Sequence, residues 1–468
     1  MELRIHAPHL DEVYHSRNWY IKAICLCFSL SLLAACPIAA SYFHFWADLI
    51  PGWIRILSSP CPLVTDYFDL GNIASAFLNA GVCGLACTMI MILFKVHCDV
   101  NTLAGYFLVI AHCFYGLNFL NMWPPMLGIL AFCINYKVDF RSNMGMAMYS
   151  TAFGPFISEL LFRYHLDDHF IFSFVNVHIV NLVYVIGFSA FLGFAIPAML
   201  PGAMRLHKGF NLYNGGLAFG LLGLFLYSFM YNTFGVEPHS PVFIYNPVYN
   251  DFGRSYMGFM VIYFMIVFLF FLLWGWYENG KSFRGYLRIL RSSGYNADYF
   301  EQYGASHVLM NIGIYGIMML AYFSFVVMCS DGAGFTGATA GVILASLTFT
   351  SKGQHPNNVW PILVGFITLS ITVCCICLAG GRPIPWTLST QAYMNGVAFA
   401  TGLCPIAGHY GRRFGIIAGF ICAVICTSTN RMHGGLMLYN GGLSAGITAL
   451  ILVPFLKYYW KGNPRKSE

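Results

Sequence analysis

The chain has 468 residues, of which 58% are hydrophobic and only 9% charged, and its formal net charge at pH 7 is +6. Soluble domains carry roughly 25% charged residues, so this composition excludes a water-soluble domain and predicts an integral membrane protein. The basic residues lie in a few loops and not on one face. That distribution argues against a nucleic-acid partner and fits the orientation signal of a multi-pass membrane protein.

Apolar segments follow one another along the whole chain. A bilayer-crossing helix needs about 20 residues, or fewer where it is broken or re-entrant. Fourteen candidates occur at 21–43, 70–94, 103–118, 122–136, 144–162, 174–200, 211–231, 256–276, 308–329, 335–350, 359–378, 387–406, 414–426 and 436–456. The most basic loop (281–291) and the basic C-terminus are predicted to be cytoplasmic. Eight candidates precede that loop and six follow it, so both termini are predicted to lie on the cytoplasmic side of a cell's inner membrane.

One block occurs twice, at residues 205–220 and 431–446, with the shared pattern R-x-H-x-G-x-x-L-Y-N-G-G-L-x-x-G. A repeat at so long a spacing indicates internal duplication. We assign residues 1–240 to the first copy and 241–468 to the second. Each copy holds about seven segments, and an odd number inverts the second copy relative to the first, as in many transporters. The predicted fold is therefore an all-α polytopic membrane protein with two inverted repeats and broken or re-entrant helices.

Three further blocks match between the copies. Asn79 pairs with Asn311, each inside an apolar segment, and Glu159 pairs with His409. A third block with the elements N-x-W-P contributes Asn118, Asn121 and Trp123 in the first copy and His355, Asn358 and Trp360 in the second. Polar groups at broken membrane helices must be paired within the protein or face water.

These blocks favour a path for a small, uncharged polar solute, because amides and aromatic rings dominate and only Glu159 lies clearly inside a segment. The predicted substrate-binding residues are Asn79, Asn311, Asn118, Asn121, Trp123, His355, Asn358, Trp360, Tyr213, Asn214, Gly215, Gly216, Tyr439, Asn440, Gly441 and Gly442. The predicted gating or proton-linked residues are Arg205, His207, Arg431, His433, Glu159 and His409.

Each group also has a purely structural interpretation. The Tyr-Asn-Gly-Gly blocks fit tight helix starts, the paired asparagines fit interhelical hydrogen bonds, and the tryptophans fit an interfacial belt. Glu159 with Arg163 fits an i,i+4 ion pair, and the histidines of the repeated block fit a headgroup-facing position. His165 and His169 have the spacing of a metal pair, but we interpret them as part of a solvated loop. No metal and no cofactor is predicted.

The whole chain resembles an uncharacterised bacterial membrane family in which a domain of unknown function is present in two copies. The blocks that begin at Gly209 and Gly435 also resemble the G-x-x-G-Y/F-N-G-x-L-x-G element of urea transporters. That local resemblance implies inverted repeats and a pore for a neutral, urea-like or amide-like solute. The N-P-x-x-G and T-A-P-F-like elements of urea transporters are not present in that form.

Three functions compete. The leading hypothesis is a channel or carrier, with a small-molecule solute and membrane lipid as its partners and with self-association into a homo-oligomer left open. The alternative is a membrane enzyme that acts on a small or lipid-linked substrate with His207, His433 and Glu159 as acid–base groups. However, the polar blocks are duplicated, whereas an active site is usually asymmetric, so we predict that the protein is not an enzyme. A sensor or assembly component is the third hypothesis.

Overall fold

The computed structural model describes residues 8–164, 173–174, 177–239, 248–330 and 334–460. The first half contains α1 Pro8–Tyr42, α2 Leu49–Leu57, α3 Tyr67–Leu70, α4 Ile73–Leu93, α5 Val100–His112, α6 Trp123–Tyr136, α7 Met144–Ser150, α8 Gly154–Phe162, α9 Ile179–His207 and α10 Asn214–Tyr227. The second half contains α11 Val248–Glu278, α12 Tyr286–Arg291, α13 Tyr299–Tyr303, α14 Ala305–Cys329, α15 Gly337–Ser346, α16 Pro356–Ala379, α17 Gln391–Ala400, α18 Cys404–Tyr410, α19 Arg412–Thr429 and α20 Asn440–Tyr459. Strands β1 (Ser173–Phe174) and β2 (Val177–His178) form a short antiparallel ladder before α9. The candidate metal pair His165 and His169 lies outside the described residues.

Nine helices in the described part of the chain are long and apolar enough to cross a membrane. They are α1, α4, α9, α10 with the turn after it, α11, α14, α16, α19 with the turn after it, and α20. The other five predicted segments are short or interrupted. The helices α5, α6 and α15 have 13, 14 and 10 residues, and 3-10 turns separate α7 from α8 and α17 from α18. Fourteen full spans are therefore not confirmed, whereas the predicted broken helices are present.

Exposed apolar side chains cover the outside of the bundle. Leu93, Ile186 and Ile376 are 68%, 69% and 67% exposed. Large apolar side chains at such exposure are costly in water and inexpensive in hydrocarbon. The protein is therefore a multi-pass membrane protein by both composition and surface.

The short helices α5 and α15 pack antiparallel to each other inside the bundle. A Cβ atom on Gly337, which begins α15, would lie 2.7 Å from the Phe114 carbonyl oxygen just beyond α5. At the opposite end, the Lys352 ammonium beyond α15 donates to Asn101 in the first turn of α5 over 2.7 Å. Each helix begins with a capping box, from Asp99 in α5 and from Thr336 in α15. These caps satisfy the first amides of both helices without solvent.

The helices that follow the repeated block, α10 and α20, cross at equivalent glycines. A Cβ atom on Gly216 would lie 2.5 Å from the Cα of Gly442, and neither glycine has room for a side chain there. On either side of the crossing the contacts are reciprocal, since Gly220 packs on Leu443 and Gly446 packs on Leu217. The contacts at this crossing are thus made between equivalent positions of the two copies.

The same helices are antiparallel, because the start of each lies at the end of the other. Gly434, before α20, contacts the ring of Tyr227 at the end of α10. The ammonium of Lys457, near the end of α20, lies 5.6 Å from the ring centroid of Phe210, before α10. The two helices that begin with the repeated block therefore run in opposite directions.

The broken helices also join the halves reciprocally. The Leu212 amide donates to the Gly402 carbonyl, and the Leu438 amide donates to the Ala152 carbonyl, each over 2.9 Å. Gly402 lies in the 3-10 turn between α17 and α18, and Ala152 lies in the equivalent turn between α7 and α8. Each copy therefore satisfies backbone groups that a broken helix of the other copy leaves free.

The predicted positions of helix breaks need correction in two places. We expected N-x-W-P at Trp360 to interrupt a helix, but α16 begins earlier, at Pro356, and continues through Pro361. Pro356 fits because it is the first residue of the helix, where an amide would have no intrahelical partner. Pro361 lies inside the same helix, one turn after its start. Conversely, the predicted single segment 387–406 is interrupted at Thr401–Leu403.

Candidate functional site

The Tyr-Asn-Gly-Gly blocks begin α10 and α20 at the centre of the bundle. Tyr213 and Tyr439 are the N-cap residues, and neither side chain caps its helix. The Tyr213 hydroxyl instead donates to the Ala345 carbonyl of α15 over 2.9 Å. Aromatic rings from both copies surround these tyrosines: the Tyr213 and Phe349 centroids are 4.5 Å apart, and those of Tyr439 and His112 are 5.4 Å apart.

A cavity of about 430 Å³ lies beside the first of these blocks, and we call it the Lys352 cavity. Its polar wall comprises Tyr213, Asn214, Gly215, Gly216, Tyr439, Asp99, Asn101, Ser142, Tyr149 and Lys352. Five of the predicted substrate-binding residues therefore share one cavity. The other three members of the second block, Asn440, Gly441 and Gly442, do not line it.

Gly215 and Gly216 have different surroundings although they are adjacent. A Cβ atom on Gly215 would meet only the ring of Phe219, at 3.5 Å, which is ordinary van der Waals contact. A Cβ atom on Gly216 would instead collide with Gly442 of the other copy. Gly215 therefore faces the cavity, and Gly216 holds the two helices together.

Lys352 is the cation of the cavity wall, and it lies in the turn between α15 and α16. Its ammonium donates to Asn101 and lies 5.9 Å from the ring centroid of Phe349. Burial lowers the pKa of Lys352 below the ordinary lysine value, and the negative charges of Asp99 and Asp298 oppose that shift. The desolvated charge is therefore supported by carboxylates that are not bonded to it.

A second cavity, of about 290 Å³, lies around Glu159, and we call it the Glu159 cavity. The carboxylate of Glu159 accepts two bonds from Arg163, over 2.9 and 2.7 Å, and one from the Tyr231 hydroxyl over 2.8 Å. His239 Nδ1 is 3.2 Å from the same carboxylate. Arg431, another predicted gating residue, also lines this cavity. The expected Glu159–Arg163 ion pair is thus present, within a larger network.

The two cavities lie at opposite ends of α10. The first is lined by Asn214 at the start of the helix, and the second by Tyr227 at its end. With a rise of 1.5 Å per residue, these positions are about 20 Å apart. The segment before α20 separates the cavities, since Leu436 lines the Glu159 cavity and Tyr439 lines the Lys352 cavity. Three residues of chain span at most about 11 Å, and this segment, 436–439, is fully buried.

Asn79 and Asn311, predicted to line a solute path, are instead bonded to backbone. The Asn79 amide donates to the carbonyls of Cys113 and Leu117, over 2.8 and 3.0 Å. The Asn311 amide donates to the equivalent carbonyls, those of Thr350 and Gln354, over 2.7 and 2.8 Å.

Both asparagines are fully buried, and neither lines either cavity. Their side chains satisfy carbonyls that become free where α5 and α15 end. This placement matches the interhelical interpretation, and their solute role stays a prediction.

The second pair of predicted blocks forms turns in the same way. Asn121 accepts from the Asn118 amide over 2.7 Å, and Asn358 accepts from the His355 amide over 3.1 Å. Trp123 packs edge-on against Phe119. Trp360 lies beneath the guanidinium of Arg412, with 5.6 Å between the guanidinium carbon and the ring centroid. None of these predicted solute ligands lines the Lys352 cavity.

Of the predicted gating histidines, His207 and His433 are buried and His409 is half-buried. His207 makes no side-chain hydrogen bond within the described residues, whereas His433 is 3.1 Å from the Asn440 side-chain oxygen. His409 lies among aromatic rings, 5.4 Å from Phe210, and Arg205 is exposed at the end of α9. The expected headgroup-facing position is wrong for both histidines, because the turn that follows each one folds its ring into the bundle.

A family model matches the chain in two separate stretches, residues 46–232 and 278–458. Each stretch contains one Tyr-Asn-Gly-Gly block, and together they cover most of the chain. The chain belongs to the DUF1576 family. Its description is "Protein of unknown function". No curated protein and no solved structure matches the chain.

The DUF1576 halves share one more block that sequence reasoning missed. Asp66-Tyr-Phe-Asp and Asp298-Tyr-Phe-Glu each cap a short helix, α3 and α13. In both, the tyrosine amide donates to a carbonyl beyond the short inner helix, from Tyr67 to Phe114 and from Tyr299 to Ser351. The shared D-Y-F letters could have revealed this pair. Lys352 could not be found in that way, because its position in the first copy, Tyr115, is uncharged.

Proposed function

We propose that this DUF1576 protein carries a small polar solute across a membrane. The observation that supports the proposal is the short buried segment 436–439, whose first residue lines one cavity and whose last residue lines the other. A solute would pass from the Lys352 cavity to the Glu159 cavity by displacement of this segment and of the Tyr213 and Tyr439 rings beside it. The glycine crossing of α10 and α20 would serve as the fixed axis of that motion.

The inverted repeat and the sides of the membrane belong to the same proposal. The antiparallel, reciprocal contacts of α10 and α20 support inversion. At one end of the bundle, Arg17 pairs with Asp298, the Tyr295 hydroxyl donates to the Lys208 carbonyl, and Lys457 lies over Phe210. The positive-inside rule assigns this basic end to the cytoplasm. Both termini would then be cytoplasmic, and the Lys352 cavity would lie on the cytoplasmic half.

A membrane enzyme is the weaker proposal. His207 precedes α10 and His433 precedes α20, so the antiparallel pair holds them at opposite ends of the bundle. One substrate could not contact both histidines, because about 20 Å of helix separates the two ends. Glu159 is held by three partners and would have to leave them to act as an acid or base.

The test is solute flux into proteoliposomes by the wild type and a cavity-filling variant. The panel contains urea, acetamide, nucleobases, ammonium and small organic and inorganic anions. Gly215→Leu places a side chain in the Lys352 cavity where the backbone leaves room, so we expect a folded protein with little flux. Gly187→Leu is the matched control, because Gly187 also lies in a helix with nothing within 4 Å of its Cβ position but faces outward from α9.

Two outcomes would contradict the proposal. One is a wild type that moves no member of the panel at protein densities where a control transporter is active. The other is a Gly215→Leu variant that transports as fast as Gly187→Leu, which would show that no path passes through the cavity.

A further inference from the structure

The ammonium of Lys352 has unused hydrogen-bond capacity inside the Lys352 cavity. An ammonium carries three donors, and Asn101 Oδ1, at 2.7 Å, takes one of them. No acceptor for the other two occurs among the residues that the structure describes. In the same part of the chain, no carboxylate oxygen lies within 4.0 Å of this nitrogen. A partly buried cation without an ion pair is unfavourable, and it is usually retained where an anion binds.

The nearest carboxylate of the cavity is already occupied by its own helix. Asp99 Oδ1 accepts from the Thr102 amide and hydroxyl, each over 2.8 Å, and Oδ2 accepts from the Asn101 side chain over 2.8 Å. This carboxylate caps α5, so its lone pairs point toward the helix. It balances part of the Lys352 charge at a distance but does not take the free ammonium donors.

The wall that faces Lys352 presents more donors. The first turn of α10 has no side-chain cap, unlike α5 and α15, and Asn214 and Gly215 in that turn line the cavity. The N-terminal end of a helix carries a partial positive charge and free amides. Tyr439 also lines the cavity and is only 1% exposed. The ammonium and the helix amides both complement a negatively charged group.

We infer that the solute of the Lys352 cavity is a small organic monocarboxylate, whose carboxylate lies between Lys352 and the first turn of α10. This inference rests on the transport function proposed above and replaces the uncharged solute that the sequence predicted. The sequence argument considered ionisable groups inside the apolar segments, and Lys352 follows one. Apolar side chains complete the cavity, among them Leu108, Met146 and Met204, which suits an apolar body behind the carboxylate.

The experiment compares carboxylates with amides of the same shape. The full-length protein in detergent is heated with linear monocarboxylates of two to six carbons, with the corresponding primary amides, and with nitrate. We expect at least one carboxylate to raise the melting temperature, and its amide to have no effect at the same concentration. Lys352→Gln should weaken carboxylate binding about 10-fold or more, the cost of losing hydrogen bonds from a charged donor. Lys457→Gln, which removes an exposed cation outside the cavity, is the control and should bind as the wild type does.

Asn101→Asp provides a test that does not remove the lysine. The new carboxylate would lie at hydrogen-bond distance from the Lys352 ammonium. It would lose the bond that the Asn101 amide donates to Asp99 and would place a second negative charge beside that carboxylate, which increases the negative charge around the ammonium. It should pair the ammonium internally, and carboxylate affinity should fall although the protein still folds. If Lys352→Gln does not fold, this variant decides the question.

The inference is overturned if the amides protect as well as the carboxylates, if no carboxylate protects, or if only nitrate does. Equal carboxylate affinity in Asn101→Asp and the wild type would also overturn it. The same panel is then tested for flux in proteoliposomes. If amides cross the membrane while carboxylates neither bind nor cross, the inference of a monocarboxylate solute is refuted and the transport proposal is retained. Carboxylates that bind while nothing crosses would refute transport and leave the binding site standing.

Discussion

The glycine crossing of α10 and α20 allows a quantitative prediction. In Gly216→Ala the new Cβ would lie 2.5 Å from the Gly442 Cα, and in Gly442→Ala it would lie 2.9 Å from the Gly216 Cα. Carbon atoms prefer separations of about 3.5–4.0 Å, so the helices must separate by about 1 Å in the first variant and about 0.6 Å in the second. Both obstacles are backbone atoms, which cannot rotate away as a side chain would.

The expected cost follows from overpacking and helix propensity. Overpacking a tight contact costs about 1–3 kcal/mol, and alanine recovers about 0.8–1.0 kcal/mol over glycine within a helix. We expect Gly216→Ala to be destabilised by up to about 2 kcal/mol and Gly442→Ala by less. Gly215→Ala, one residue away, meets only its own Phe219 at 3.5 Å and should be neutral or slightly stabilised.

Thermal unfolding of the purified variants in one detergent, followed by tryptophan fluorescence, measures the difference. The double variant Gly216→Ala/Gly442→Ala should cost less than the sum of the single variants, because the first Cβ already separates the helices. If Gly216→Ala melts at or above the wild-type temperature, as Gly215→Ala should, the two helices are not in tight contact at Gly216 and Gly442. The reasoning about a fixed axis would then be refuted.

Three other predictions concern the paired asparagines, the buried acid and the topology. Asn79→Leu should lower the free energy of unfolding by about 2–4 kcal/mol, because two buried carbonyls lose their donor. Flux per folded molecule should stay normal. A variant that is as stable as the wild type but has lost its flux would instead support a solute-binding role for Asn79. Glu159→Gln should cost about 1–3 kcal/mol, less than a fully buried pair because Arg163 is partly exposed, and an unchanged melting temperature would contradict this. Single cysteines at Ser58 and Ser282, in a background without exposed native cysteines, should react with an impermeant maleimide from opposite sides of sealed vesicles; labelling from one side would refute the inverted topology.

The repeated Tyr-Asn-Gly-Gly block of the sequence predicted the equivalent contacts that the two copies make in the structure. The duplicated Tyr-Asn-Gly-Gly block does begin two equivalent helices, and its second glycine does lie where the helices touch. Composition alone predicted a membrane protein, because a chain with only 9% charged residues cannot cover a water-facing surface. These properties follow from local chemistry: glycine is needed wherever two backbones meet, and apolar runs of helix length must avoid water.

The sequence could not decide which polar residues face a cavity and which bind backbone. Asn79 and Asn214 are both amides in apolar surroundings, but only the fold reveals that the first satisfies two carbonyls freed where α5 ends. Likewise, the residues around Lys352 predict only a loop. The packing of α15 against α5 brings the Lys352 ammonium to Asn101. A side chain's role depends on which unsatisfied groups lie within about 3 Å of it, and here those groups come from residues 34 to 251 positions away. Contacts between residues so far apart in the chain cannot be read from the local sequence pattern. Only the tertiary structure shows whether an asparagine binds backbone carbonyls or lines a cavity.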